Sequence, residues 1–388
     1  PPAPDGPARS RRLPDGNRRL ITISAVLPDL GWPGLDRAHA LAERALTSYD
    51  LGSAPTVSLL GVSENITYQV DDLAGGRRWA LRLYRPGYHP LEEIISELAW
   101  IQALRHDGVI RTPPVVPSRD GELVTVIAYD PSVLGARSAG FGEPRYAALF
   151  EWVRGSSPHP SDAVGLLRGF SALGEITARL HQHARAWRPP AGFTRFAWTW
   201  RTTLGSQGRW GSWQDGIRIV ANGDQNGLKV IDSDGIAVLT RAVEEIRRRI
   251  ERFGTGPDRF GLVHADMRLA NLLVNGRSEE PTVIDFDDCG FSWYLFDLAA
   301  SLSFIEHRPE VGDLVEAWLA SYRRHVPVSA EEESMIATFV LLRRLLLVAW
   351  LGSHPEADAV ASVAEYATTS CDLADDYLSG SCSSLLRP

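Results

Sequence analysis

Apolar residues recur at two different periods along this chain, and the change from one to the other divides it. Residues 36–49, DRAHALAERALTSY, carry the helical period, with Asp36 placed to cap the first turn. The period then shortens to two. Residues 57–60 and 66–70 read as strands joined by a GVSEN turn, and 79–84 follow as a third strand after the Gly75-Gly76 turn. Residues 91–105 return to helical spacing, with Ile94, Ile95, Leu98, Ile101 and Leu104 on one face. Strands are predicted again at 115–116, 123–127 and 146–153. Beyond Gly155 the pattern is helical over 164–183 and 236–253. Two short strands around a loop are expected within 263–284, then helices from Asp297 onward, broken near Pro309 and Pro327.

This order predicts an α+β protein with a small antiparallel β-rich lobe and a larger, mainly helical lobe. The divisions are a leader at 1–34, a β-rich lobe with one long helix at 35–150, a helical lobe at 151–378 and a tail at 379–388. A chain of 388 residues exceeds one ordinary core, which agrees with two lobes. Residues 1–19 have Pro, Gly and Arg but no apolar segment of a signal peptide. The richest apolar run, 338–351, is interrupted by Arg343 and Arg344 and is shorter than a membrane span, so it reads as a buried helix.

Composition narrows the function less than the pattern does. Three scattered cysteines give neither a disulfide framework nor a zinc site and point to a reducing cytoplasm. A net charge of −8 disfavours nucleic acid and suits a cationic ligand. Of the 40 basic side chains only Lys229 is a lysine, so any task commonly given to lysine falls to arginine here.

The chemistry concentrates in LVHADMRLANLLV, residues 262–274, and TVIDFDD, residues 282–288. The first places His264, Asp266 and Asn271 in the order H-x-D-x-x-x-x-N; the second places Asp285 in an apolar D-F-D. Phosphoryl transfer asks a protein for a carboxylate to take the hydroxyl proton, hard oxygens for a metal, and cations for the phosphates. Asp266 suits the base. Asn271 and Asp285 suit Mg²⁺, which takes few protein ligands. His264 is expected to shape the loop. Asp297 reads either as part of the site or as the cap of the next helix.

These motifs, with Ser63-Glu64-Asn65, Ala80-Leu81-Arg82 and Tyr84-Arg85-Pro86, resemble the aminoglycoside phosphotransferase, choline kinase and homoserine kinase superfamily. The resemblance covers roughly 51–378 and implies a bilobal protein-kinase-like fold, with ATP or GTP and Mg²⁺ as cofactors. It implies Asp266 as catalytic base and Asn271 with Asp285 as metal ligands, in agreement with the chemistry. The strand-three cation, often lysine in the family, falls on Arg82, with Glu97 as its expected partner. The phosphate loop departs from the Gly-rich pattern of protein kinases: only Gly61 is present, so Ser63 and Asn65 are the expected donors. Glu151 and Val153 fall where the resemblance puts the hinge that reads the nucleobase.

The expected activity is transfer of a γ-phosphoryl group to a hydroxyl of a small, amine-bearing acceptor such as an aminoglycoside, an amino alcohol or homoserine. Neither nucleic acid nor membrane is an expected partner. Asp287, Asp288 and Glu306 are candidates for an anionic wall, and Trp293 for stacking on the acceptor. Arg268 would instead favour an acceptor carboxylate, and a zwitterion would use both. The alternatives are a protein kinase of the stress-response kinase A type and an inactive binding module. The first lacks an A-P-E-like segment, since about a dozen residues separate Asp285 from Asp297. Intact Asp266, Asn271 and Asp285 argue against the second.

Overall fold

The computed structural model describes residues 34–52, 55–128, 144–159, 162–222, 231–276, 280–354 and 362–380. The chain forms two compact units. The first comprises residues 1–89 and 117–149, the second 90–116 and 150–388.

In the first unit α1 (Leu35–Leu46) buries Ala38, Leu41, Ala42 and Ala45, the stripe that the helical period announced. β1 (Thr56–Val62), β2 (Ile66–Asp72) and β3 (Arg77–Leu83) form an antiparallel meander. β5 (Thr125–Ile127) pairs with β6 (Arg145–Glu151), and β6 lies beside β3. Strict alternation sends Trp79, Leu81 and Leu83 of β3 into the core, with Tyr68 and Val70 of β2. Arg82 therefore lies on the opposite face, opposite Thr67 in register.

The second unit begins with α2 (Leu91–His106) and the short β4 (Val115–Val116). Sequence order had assigned α2 to the β-rich lobe, and the structure corrects this. Thr194 N–H donates to Ser96 Oγ at 2.9 Å, and the Arg195 guanidinium donates to Glu93 O at 2.9 Å, which ties α2 to the helical unit. The remaining helices are α3 (Ala163–Ala186), α4 (Trp213–Asn222), α5 (Ser233–Phe253), α6 (Phe296–Ser301), α7 (Val311–Tyr322), α8 (Ala330–Ser334), α9 (Ile336–Ser353) and α10 (Val363–Ser379). β7 (Phe260–Val263) pairs with β10 (Gly290–Trp293), and β8 (Leu272–Leu273) with β9 (Thr282–Val283).

Helix α3 packs closely on α7 because Gly174 has no side chain: a Cβ there would stand 2.1 Å from Trp318 O. Helix α9 is apolar and long enough to cross a membrane, but 83% of it is buried in this core. Asp162, Asp232, Ser329 and Ser362 cap α3, α5, α8 and α10 with their side chains. Helix α4 and strand β10 have no counterpart in the sequence reading. The leader at 1–33, the insertion at 223–230 with Lys229, and the tail from 381 lie outside the described residues.

Candidate active site

Strand β7 delivers the chain into the loop that holds Asp266, and a buried carboxylate shapes that loop. Asp297, on α6 and fully buried, accepts the backbone N–H groups of His264 at 3.1 Å and Ala265 at 2.6 Å. Ala265 sits at φ 65°, a left-handed conformation that a non-glycine residue holds only when its surroundings impose it. The cap of α6 is Leu295, so Asp297 is no cap. It is also fixed from behind. His181 Nε2 lies 3.0 Å from Asp297 Oδ2, and His181 Nδ1 lies 2.8 Å from the Tyr322 hydroxyl. Burial pushes the His181 pKa down, against the opposing pull of Asp297. Ser301 Oγ donates to Met267 O at 2.7 Å, a second tie between α6 and the loop. His264 has the shaping role expected of it, with its Nδ1 accepting Asp266 N–H at 3.3 Å and its ring 4.5 Å from Phe286.

Asp266 stands at the centre of a cationic cluster. Oδ2 accepts Arg268 Nε at 3.1 Å and Asn271 Nδ2 at 2.7 Å. Oδ1 accepts Arg343 Nη2 from α9 at 2.7 Å. A carboxylate offers about four acceptor positions, so among the described residues one remains, on Oδ1. That is where a hydroxyl can donate. Burial alone would raise the Asp266 pKa; the guanidiniums of Arg268 and Arg343 outweigh it and hold the carboxyl below its ordinary value. Arg268 is in turn held protonated, chiefly by Asp266, with Asp285 and Asp288 adding to the effect.

Asn271 spends its amide N–H donors on Asp266, at 2.8 Å to the backbone oxygen and 2.7 Å to Oδ2, which leaves Oδ1 as an acceptor. Asp285 sits at φ 65°, the second left-handed residue in the site. An amide oxygen and a carboxylate are a hard-oxygen pair that fits a small divalent cation. Among the described residues no group of three or more His, Cys, Asp or Glu could hold a metal without help. The donor set therefore fits a metal whose shell is completed by phosphate oxygens.

The other expected residues fall into three sets. In the first unit Ser63 is exposed at the β1–β2 turn. Asn65 is 6% exposed and its Oδ1 accepts Arg85 N–H at 2.9 Å, so that oxygen serves the fold. Arg85 pairs with Glu64, and Arg82 lies 5.9 Å from the Tyr84 ring centroid. In the second unit Glu97 is fully buried, and its charge acts on Arg195. Glu151 and Val153 line a cavity of about 270 Å³ together with Thr112, Leu273 and Thr282.

The acceptor candidates divide. The Asp287 and Asp288 carbonyl oxygens are taken by Arg195 and by Trp198 Nε1, at 2.5 and 2.9 Å, while the Asp288 carboxylate acts on Arg268. Two expectations are corrected. Trp293 is core: 2% exposed, packed on Phe260 and Phe339, its Nε1 donating to Gly254 O at 2.7 Å. Glu306 is 1% exposed and paired with Arg344 at 2.9 Å, so it is no wall for a ligand.

Sequence reasoning missed Arg195, Arg343, His181 and the organising role of Asp297. One signal was present. Two adjacent arginines inside an apolar run must find buried anions, and Arg343 and Arg344 find Asp266 and Glu306.

The family model for the phosphotransferase enzyme family matches residues 57–332. The chain belongs to this family. The solved structure of a microcompartment-associated aminopropanol kinase is 43% identical, with a TM-score of 0.75, covering 90% of this chain and 99% of that one. The amicoumacin kinase of Bacillus subtilis is 23% identical over 306 residues, 76% of this chain and 79% of that protein. The amicoumacin kinase hAmiN, solved with AMP-PNP, Ca²⁺ and Ami, shares the fold at 21% identity and a TM-score of 0.63, covering 88% of this chain and 93% of that one. This family member is a phosphotransferase, a small-molecule kinase acting on hydroxyl groups.

Proposed function

We propose that the protein transfers the γ-phosphoryl group of ATP to the hydroxyl of a small amino alcohol of the aminopropanol class. The observation that carries this reading is the 43% identity to an aminopropanol kinase along nearly its whole length. The site is compatible. Asp266 Oδ1 accepts the acceptor hydroxyl and takes its proton as the phosphoryl group arrives. Arg268 and Arg343 keep that carboxylate ionised and fixed in rotation. Asn271 and Asp285 would hold Mg²⁺, which neutralises phosphate charge when bound. Arg82, Ser63 and Asn65 remain the nucleotide contacts proposed in the first unit. Glu151 and Val153 are the proposed nucleobase contacts. Free thiols at Cys289 and Cys371 accord with a cytoplasmic location.

The test is a screen of the purified protein with ATP and Mg²⁺ against 1-amino-2-propanol, 2-aminoethanol, homoserine and aminoglycosides. Turnover of the short amino alcohols with kcat/KM well above the other classes is expected. Preference for an aminoglycoside or for homoserine would overturn the reading.

A further inference from the structure

We propose that Phe304 is a specificity-determining residue of the acceptor site, its ring forming the wall that restricts the acceptor to a short carbon frame. The buried Glu306–Arg344 pair holds that wall in place. The inference rests on the amino-alcohol kinase reading.

Among the described residues three non-glycines have positive φ: Ala265, Asp285 and Phe304. The first two belong to the catalytic and metal loops. Phe304, at φ 71°, is the bulkiest of the three, and a large side chain in this region is an outlier that persists only where its surroundings over-determine it. Here the surroundings are explicit. Glu306 Oε1 accepts Phe304 N–H at 3.1 Å and the Tyr366 hydroxyl at 3.3 Å. Glu306 Oε2 accepts Arg344 Nη1 at 2.9 Å. Further donors of Arg344 reach Ser370 Oγ at 2.7 Å and Tyr366 O at 2.6 Å. The clamp is buried and closed.

The clamp aims at the base. Ser303 Oγ accepts Arg343 Nε at 3.1 Å, and Arg343 holds Asp266 Oδ1. The ring of Phe304 lies 5.8 Å from the Arg268 guanidinium carbon, and Arg268 holds Asp266 Oδ2. Two successive residues are thus each one guanidinium away from the two oxygens of the base. Ser303 and Glu306 are buried, whereas Phe304 is partly exposed, as is Trp350, 6.2 Å away ring to ring. The ring thus shares Arg268 with the base, and in the proposed arrangement an acceptor seated at Asp266 extends its carbons past Arg268 to this aromatic surface. Such a surface favours a short alkyl frame and resists bulk or a second polar branch.

The experiment is steady-state kinetics of the full chain with 2-aminoethanol, 1-amino-2-propanol and 1-amino-2-pentanol. The variants are Phe304→Ala, Phe304→Gly and Phe304→Tyr. Loss of the ring should raise KM for the short acceptors on the order of tenfold or more, leave KM for ATP unchanged, and shift kcat/KM towards the longest acceptor. Phe304→Tyr should keep the wild-type ranking. Phe304→Gly, free of the backbone penalty, should melt no lower than Phe304→Ala while losing the same discrimination. An unchanged ranking of acceptors in folded Ala and Gly variants overturns the wall and leaves the amino-alcohol reading intact. A wild-type protein inert towards all three acceptors overturns that reading and the wall with it.

Discussion

Arg343, from the middle of an apolar helix, donates to Asp266 Oδ1 at 2.7 Å across 77 residues of chain. The guanidinium is 2% exposed and the carboxylate 13%. A buried cation of this kind is tolerated only with an anion beside it, and the anion here is the base that the motif identified. Arg268 and Asn271 fill the other oxygen, Oδ2, so a hydroxyl is left the second acceptor position on Oδ1, beside Arg343.

The first prediction concerns the base. Asp266→Asn should lower kcat by about 10²–10⁴-fold with ATP binding retained in calorimetry. Wild-type turnover in that variant would remove Asp266 from the mechanism.

The second concerns pH. The folded-state pKa of Asp266 is lowered, so its carboxylate and its ion pairs persist at neutral pH and are lost only as pH falls through that depressed value. The acid limb of kcat/KM should therefore lie below the ordinary carboxylate range. In Arg343→Met one of the two opposing guanidiniums is gone and burial gains weight, so the limb should move up in pH. Arg343→Lys should move it less. A limb that stays put in Arg343→Met would mean that another group sets it.

The third concerns the scaffold under the loop. Asp297 holds two backbone N–H groups and faces a neutral, buried His181. Asp297→Ala leaves those donors unanswered and should cost about 3–5 kcal/mol of stability, read by urea unfolding. His181, with its pKa lowered by burial, binds fewer protons folded than unfolded. Stability should then fall as pH drops below the ordinary histidine value, and this contribution should vanish in His181→Phe.

How much of this was legible follows from what each residue touches. The stripe of α1, the meander β1–β3 and the loop with Asp266 and Asn271 were readable because period, turn residues and motif spacing are local. Asp297 was seen but left between two roles, since a carboxylate at a helix start looks the same whether it caps or holds a distant loop. Arg195 gave no local sign at all: its acceptors, Glu93 O, Asp287 O and Cys289 O, are backbone atoms about a hundred residues away. Glu306 and Trp293 look like ligand contacts in the sequence because sequence shows chemistry and not burial, and both are buried.

The fourth prediction concerns the metal. Asn271 has one acceptor oxygen left and Asp285 supplies a carboxylate, so Asp285→Ala should abolish the Mg²⁺ dependence of ATP binding in calorimetry. Retained dependence would place the metal on other ligands.

The last concerns Arg82. Alternation on β3 puts Trp79, Leu81 and Leu83 in the core, which leaves Arg82 on the other face of the sheet with Ala80. The only lysine of the chain, Lys229, is far away in sequence, so a phosphate-binding cation on this strand has to be a guanidinium. A guanidinium can hold two phosphate oxygens at once, whereas an ammonium is a point charge. Arg82→Ala should weaken ATP binding about tenfold or more, given that hydrogen bonds to charged groups contribute about 1.5–3 kcal/mol each. Arg82→Lys should recover only part of that, because the charge returns without the fork. The pattern to look for is a graded series in the dissociation constant of ATP, wild type tightest, lysine between, alanine weakest, with acceptor KM unmoved. Full recovery by lysine would mean that charge alone matters at this position. No change in either variant would assign the phosphates to Arg85, two residues beyond the strand and already paired with Glu64.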